Sequence, residues 1–262
     1  MGILNVTPDS FSDGGQFNNP AAALIQAEAM INAGVDLIDI GGQSSRPGAE
    51  SIPIEEELSR VIPIVNLLRA HWDIPISVDT NRSVVAGAAI EAGADIINDI
   101  SAGTYDPNMF VLVASYQVPV ILMHMRGNPK TMQRLTHYRD LIAEIQSFLL
   151  EQAEKALDSG IAKELLILDP GIGFAKNFQQ NIQLIQQLRS FANLDYPLLV
   201  GPSRKAFIGE ILGVSDPEGR DWGTAMICSC AIASGADILR VHNVPAIRDI
   251  AKVADIIYRP LT

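Results

Sequence analysis

The sequence predicts an α/β protein of the closed (β/α)8, or TIM-barrel, class, folded as one domain over residues 1–262. Three observations carry that expectation. Short apolar runs recur eight times about one helix apart, the segments between them repeat apolar residues at three- and four-residue spacing, and one helix-to-strand turn is used three times. Apolar runs alternating with helical periodicity are the pattern of parallel strands joined by crossover helices. The length suits a single barrel, for which roughly 250 residues is typical.

The runs follow in order at residues 2–5, 35–41, 74–79, 95–98, 118–124, 165–169, 197–203 and 237–242, and nearly all end in a residue that hydrogen-bonds or carries charge. The repeated turn reads Ala33-Gly34-Val35-Asp36, Ala92-Gly93-Ala94-Asp95 and Ser234-Gly235-Ala236-Asp237. Glycine tolerates the left-handed backbone that closes a helix, so each copy stops a helix and starts a buried strand. Segments 7–19, 42–53, 125–137 and 204–221 read as long βα loops, and in a barrel such loops build the working face. An open doubly wound sheet is the competing arrangement; eight regular units favour closure.

The formal net charge of −11 argues against a nucleic-acid partner or an anionic membrane surface, either of which favours a basic face. No apolar stretch approaches the length of a membrane span. Cys228 and Cys230, two apart in a predicted helix, diverge and neither pair nor share a metal, which fits a reducing cytoplasm.

Strand parity locates a site. In the last run Arg240 and His242 alternate with Leu239 and Val241, so the two basic residues share the face that looks into the barrel mouth if the apolar pair faces the helices. By the same parity Asp79 stands with Ser77, Asn98 with Ile96, and Asp169 with Ile167. A single Asp or Asn at a strand end commonly caps a helix; several converging in one mouth point to a site. An acidic chain that gathers Arg46, Arg204, Lys205, Arg240 and His242 at strand ends should have an electropositive mouth, suited to a small phosphate ester. Asp79, Asn98 and Asp169 are acceptors suited to a heterocycle with amino and ring-nitrogen donors.

The loops add hard ligands and an anion site. Residues 5–15, Asn-Val-Thr-Pro-Asp-Ser-Phe-Ser-Asp-Gly-Gly, combine carboxylates and hydroxyls that suit Mg²⁺ held jointly with substrate phosphates, although the same residue types compose ordinary turns. Residues 41–48 add hydroxyls, backbone amides and Arg46. Residues 201–209 set Arg204 and Lys205 at an expected helix start, where backbone amides favour anions.

These segments, with Ser77-Val78-Asp79-Thr80, Asn98-Asp99-Ile100, Met123-His124-Met125, Asp169-Pro170-Gly171-Ile172-Gly173-Phe174 and Arg240-Val241-His242, occur in the order found in the dihydropteroate synthase family, which the chain resembles along essentially its whole length. The resemblance implies a transferase that joins 6-hydroxymethyl-7,8-dihydropterin diphosphate to 4-aminobenzoate, releasing diphosphate, in folate synthesis. It implies that Asp79, Asp169, Lys205, Asp13 and Arg46 carry the chemistry. Asn98, Ile100 and Met123 would complete the pterin pocket. Asn5, Arg240 and His242 would hold the diphosphate, with Mg²⁺ at Asn5. Phe11, Ser45, Pro47, Phe174 and Ser203 would form the aminobenzoate site, with Arg46 and Lys205. It further implies a dissociative substitution and a homodimer formed through barrel helices, for which the small, apolar residues 225–233 offer a packing surface.

Departures from the family pattern fall at Gln43, where many members carry Glu, at Ser45, where many carry Thr, and at Ala206, where Ser is frequent; altered affinity is expected from them at most. Members usually carry a segment ahead of the first strand that covers the barrel floor, so an upstream segment is expected. A methyltetrahydrofolate-dependent methyltransferase would share the pterin acceptors but has no use for a diphosphate clamp. A non-catalytic pterin-binding relative should have lost loop or cation positions that are all present here. Loops 7–19 and 42–53 contain little apolar surface, and are expected to order over the mouth when Mg-diphosphate binds.

Overall fold

The computed structural model describes residues 1–7 and 20–259. Eight parallel strands alternate with helices in chain order. They are β1 (Gly2–Asn5), β2 (Ile38–Gly41), β3 (Ile76–Asp79), β4 (Ile96–Asp99), β5 (Val120–Met123), β6 (Leu166–Asp169), β7 (Leu199–Val200) and β8 (Ile238–Leu239). Consecutive pairing from β1 to β6 forms a six-stranded leaf, and β7 pairs with β8 in a second leaf. Two single bridges, Leu168 with Leu198 and Gly2 with Val241, join the leaves into a closed barrel. At the second seam Ile3 N donates to Val241 O at 2.9 Å and Val241 N donates to Met1 O at 3.0 Å.

The helices are α1 (Pro20–Asn32), α2 (Ile54–His71), α3 (Ser83–Glu91), α4 (Met109–Tyr116), α5 (Leu141–Asp158), α6 (Phe178–Gln186), α7 (Leu188–Ala192), α8 (Ala206–Leu212), α9 (Asp221–Ala233) and α10 (Val244–Tyr258). The thrice-used turn forms as expected. Gly34, Gly93 and Gly235 adopt φ of 80°, 110° and 99°. In each copy the next residue donates back across the helix end, Val35 to Met30, Ala94 to Ala89 and Ala236 to Ala231. This pattern satisfies carbonyls that a helix end otherwise leaves bare.

One expectation needs correction. Segment 204–221 is not a simple loop: it contains α8, closed at Gly213 with φ 67°, and a 3-10 turn at Glu218–Arg220. The seventh βα unit therefore has two helices, because a glycine-capped apolar turn follows Lys205 before the main helix begins.

Alternation along each strand sorts the interior. Ile38, Ile40, Ile76, Val78, Ile97, Val120, Leu122, Leu166 and Leu168 face the helices in the main core. Inside the barrel, Met1, Ile121, Ile167 and Leu199 pack together with Leu37, Ile96 and Ile238 as an apolar floor. The polar residues stand above it, toward the carboxyl ends of the strands. Both cysteines are free, as expected, with Cys228 buried. No helix among the described residues is long and apolar enough to cross a membrane.

Candidate active site

The inward-facing strand residue one layer above the floor is polar on β2, β3, β4 and β6, and the parity of each strand puts them on one side. Arg240, just past β8, joins the network: its Nε donates to Asp39 at 2.6 Å and its terminal nitrogen donates to Asp79 at 2.8 Å. Asp39 also accepts from Ser77 Oγ at 2.6 Å and from Asn98 Nδ2 at 3.3 Å. Burial raises the Asp79 carboxyl, against the pull of Arg240 and with the repulsion of Asp39 added.

A pocket opens above this network, lined by Ser45, Asn98, Ile100, Met123, Asp169, Ile172, Phe174, Gly201, Lys205 and Arg240. Eight of those ten were expected from sequence. Ile100, Met123 and Phe174 belong to a small apolar cluster with Met125 and Met132, and form a greasy wall. Asp169 ends β6; its Oδ1 accepts from Gly171 N at 2.7 Å, and burial pushes its carboxyl up to about 6, with the Gly171 amide, Lys205 and Lys176 opposing. Lys205 lies with Nζ 4.1 Å from the centre of the Phe174 ring, a cation over an aromatic face. Burial and Arg240 bring its ammonium down to about 8. A Cβ on Gly173 would come within 2.9 Å of Lys205 Cδ, so the glycine leaves the path along which this lysine enters.

Ser203 and His242 sit side by side. Ser203 Oγ contacts His242 Nδ1 at 2.8 Å and accepts from the His242 backbone N–H at 3.1 Å. The hydroxyl is thus held between the ring and the backbone of His242, fixing how the imidazole faces the site. Burial, reinforced by Arg240, Arg204, Lys205 and Arg46, holds the imidazole down to about 3. The expected basic pair on β8 is thus one cation and one neutral imidazole.

Arg204 is a second correction to the electropositive mouth. Its backbone takes φ 58°, its amide donates to Thr224 Oγ1, and its guanidinium pairs with both oxygens of Asp221 at 2.8 and 3.0 Å. This left-handed turn sends Arg204 toward the start of α9 while Lys205 enters the pocket. Its guanidinium is directed to Asp221 and is absent from the pocket lining, although its charge still reaches His242.

The other expected residues are placed as follows. Asn5 ends β1, and its Oδ1 lies 3.3 Å from where a Gly41 side chain would begin. Arg46 and Pro47 are exposed on the loop after β2, outside the pocket lining. That loop is tied down: Arg82 donates to Ser51 Oγ at 2.9 Å and Ile52 O at 2.7 Å, and Arg60 to Gly42 O at 2.9 Å. Phe11 and Asp13 lie outside the described residues.

Sequence reading passed over three groups. Asp39 carried the same parity signal as Asp79 but sat unnoticed inside an apolar run. Lys176, buried, donates to the carbonyls of Gly171 and Phe174 at 2.8 and 2.9 Å and stands 3.1 Å from His124 Nδ1, so it holds the loop after β6 in shape. Burial, with Lys205 and Arg126 adding, brings that ammonium down to about 7 while Asp169 opposes. Nothing in its local sequence announces that role. The Glu57–Arg82 pair, at 2.8 Å and buried, likewise joins residues 25 apart.

A profile described as pterin binding enzyme matches residues 1–242 of this chain. A dihydropteroate synthase from Synechocystis is 56% identical over 259 residues, covering 99% of this chain and 90% of that protein. The chain belongs to the dihydropteroate synthase family of pterin-binding enzymes. Membership makes it a transferase of folate synthesis. Among solved structures, the dihydropteroate synthase of Xanthomonas albilineans with 4-aminobenzoic acid superposes with a TM-score of 0.93 at 43% identity, covering 99% of this chain and 93% of that one. The same organism's enzyme with 7,8-dihydropteroate gives 0.89 at 41% identity, with the same coverage of both chains. These dihydropteroate synthases share the barrel; both competing readings of the sequence, methyltransferase and inert binder, lose their ground.

Proposed function

We propose that the chain condenses 6-hydroxymethyl-7,8-dihydropterin diphosphate with 4-aminobenzoate to give 7,8-dihydropteroate and diphosphate. The carrying observation is one pocket that joins the acceptors Asn98 and Asp169 to the cations Lys205 and Arg240, with Ser45 and Phe174 at its rim. The acceptors suit the N–H donors of the pterin edge, and Met123 and Ile100 suit its ring faces. Arg240 and the His242 imidazole suit the diphosphate. Ser45, Arg46, Pro47, Phe174, Ser203 and Lys205, with Phe11 from the first loop, suit the aminobenzoate.

The one hydroxyl–imidazole pair among the described residues of the site, Ser203 with His242, is assigned to holding the substrates, and the reading needs no covalent nucleophile. The bond from the pterin methylene to diphosphate breaks first, and Asp79 and Asp169 place negative charge near the cation left on the pterin. The aniline nitrogen then forms the new C–N bond and loses its proton. Charge on the departing group is met by Arg240 and Lys205.

Mg²⁺ belongs to the same proposal. The described residues contain no cluster of three His, Cys, Asp or Glu that would cage a metal. The amide oxygen of Asn5, held in the space that Gly41 leaves, is a hard neutral ligand of the kind Mg²⁺ takes alongside substrate phosphates and water. When bound, the ion would neutralise the diphosphate. The test is diphosphate release by the purified chain. Release only with both substrates and Mg²⁺ supports the reading; release without aminobenzoate at the same rate, or none under any condition, overturns it.

The same reading includes cytoplasmic location and a homodimer. Ala225 and Ala231, expected to meet a partner, are buried against the barrel, whereas Trp222 and Met226 are 84% and 65% exposed one helical turn apart. Val253, Ile256 and Ile257 extend exposed apolar surface on α10. Exposed apolar side chains on these two helices support an interface there. Light scattering should give a dimer that Trp222→Asp converts to monomer; a monomeric parent protein removes the proposal.

A further inference from the structure

Resting on the pterin-site reading above, we infer that Asp39 is a positioning residue that sets the hydrogen-bonding polarity of the pocket and thereby its preference for an amino-bearing ring. Asp39 is fully buried and lines no part of the pocket. It acts through its neighbours. Its Oδ2 takes Arg240 Nε at 2.6 Å and its Oδ1 takes Ser77 Oγ at 2.6 Å, so the carboxylate is held on both oxygens.

Asn98 is the neighbour that matters for recognition. Its Nδ2 lies 3.3 and 3.5 Å from the two Asp39 oxygens. The reverse orientation would set the amide oxygen against a carboxylate, acceptor against acceptor, with neither partner able to supply a proton. The two ends of a planar amide point apart, so a nitrogen turned down to Asp39 turns Oδ1 up into the pocket. Asn98 alone could present either a donor or an acceptor; Asp39 removes the choice. Asn98 then joins Asp169 as an acceptor in a pocket whose donors are Lys205 and Arg240. A ring edge carrying N–H groups is matched, and an edge carrying a carbonyl in place of the amino group meets lone pairs.

The test compares dihydropterin diphosphate with its 2-oxo counterpart on the full chain, by steady-state kinetics and titration calorimetry. Sites built on buried hydrogen bonds reject the mismatched analogue strongly, so the parent protein should favour the amino compound about 100-fold or more in kcat/KM. Asp39→Asn keeps the shape but offers Asn98 either end of an amide. In that variant the preference should drop about tenfold, through a KM increase for the amino compound larger than the loss in kcat. An unchanged preference in folded Asp39→Asn overturns the inference while leaving the substrate assignment intact. A parent protein that accepts both compounds equally also overturns it, and one that binds neither overturns the substrate reading itself.

A second measurement needs no variant at Asp39. In the nitrogen-15 spectrum the Asn98 side-chain amide, assigned by its loss in Asn98→Asp, should exchange slowly in the free protein and keep its shift when the pterin binds. Rapid exchange, or a large shift on binding, would mean that the amide donors face the ligand, and the inference would fail.

Discussion

Asp169 offers the most direct residue-scale test. Replacing its carboxylate by the amide of Asn sets donors against ring donors, and we expect pterin binding to weaken by about 1.5–3 kcal/mol or more. Calorimetric titration checks this. The carboxyl has an ordinary value of 3.8 and stands at about 6 in the folded chain. Between those values the folded state holds its proton more firmly than the unfolded chain does, so this group makes stability fall as pH rises from about 4 to about 6 and adds no slope above. Ring N–H groups need the ionised form, so pterin affinity should climb through pH 6 and, with Asp79 standing at about 7, continue toward 8; Asp169→Asn should remove the lower part of that rise. A rise of equal size in the variant would assign it elsewhere. The imidazole of His242, held down to about 3, does not titrate in this window in the free protein. Asp79, Asn98, Asp169 and Arg240 were legible because strand alternation alone puts them on one face. Lys176 and Arg204 were not, since the partners that decide their roles, carbonyls after β6 and Asp221 at the start of α9, are chosen by tertiary packing.

The elements show where reading from sequence stops. Strands, their order and the glycine turns follow from period and caps, and all formed where expected. The loop after β2 has little apolar surface and is expected to order when Mg-diphosphate binds, yet polar contacts already hold it. Arg82, before α3, reaches Glu57 in α2 and the loop at Ser51 and Ile52, while Thr80 Oγ1 donates to Glu57 at 2.7 Å. Burial raises the Glu57 carboxyl and Arg82 opposes. Removing one partner of a buried pair strands the other, so Arg82→Ala should cost about 3–5 kcal/mol of folding stability. It should also raise the KM for aminobenzoate more than that for the pterin, since the freed segment carries Ser45, Arg46 and Pro47. Denaturant melts and initial rates measure both effects. Equal changes in the two KM values would show that the anchor serves folding alone.

Across the whole molecule, an acidic chain surrounds a mouth that still holds Lys205, Arg240 and exposed Arg46, and the proposed reaction would bring its two substrates there in order. Aminobenzoate should bind weakly to the free chain and much more tightly once the pterin site and Mg-diphosphate are occupied, and equilibrium coupling of this kind is reciprocal. Asp13→Ala should weaken the coupling more than it weakens the pterin alone. Equal aminobenzoate affinity with and without Mg-diphosphate would sink the ordered scheme. The barrel itself is two leaves hinged on single backbone bridges, and Arg240 from the two-stranded leaf grips Asp39 and Asp79 of the six-stranded one. The charges that read as recognition machinery are also a clasp. A pterin diphosphate held as proposed, by Asn98 and Asp169 on one leaf and by Lys205 and Arg240 on the other, would fasten that clasp a second time. Amide hydrogen exchange in residues 197–242 should therefore slow on binding far more than exchange in β3 and β4, which have full ladders on both sides; uniform slowing would deny the seam any special part. Ligand supply would then stiffen the barrel as well as feed the reaction.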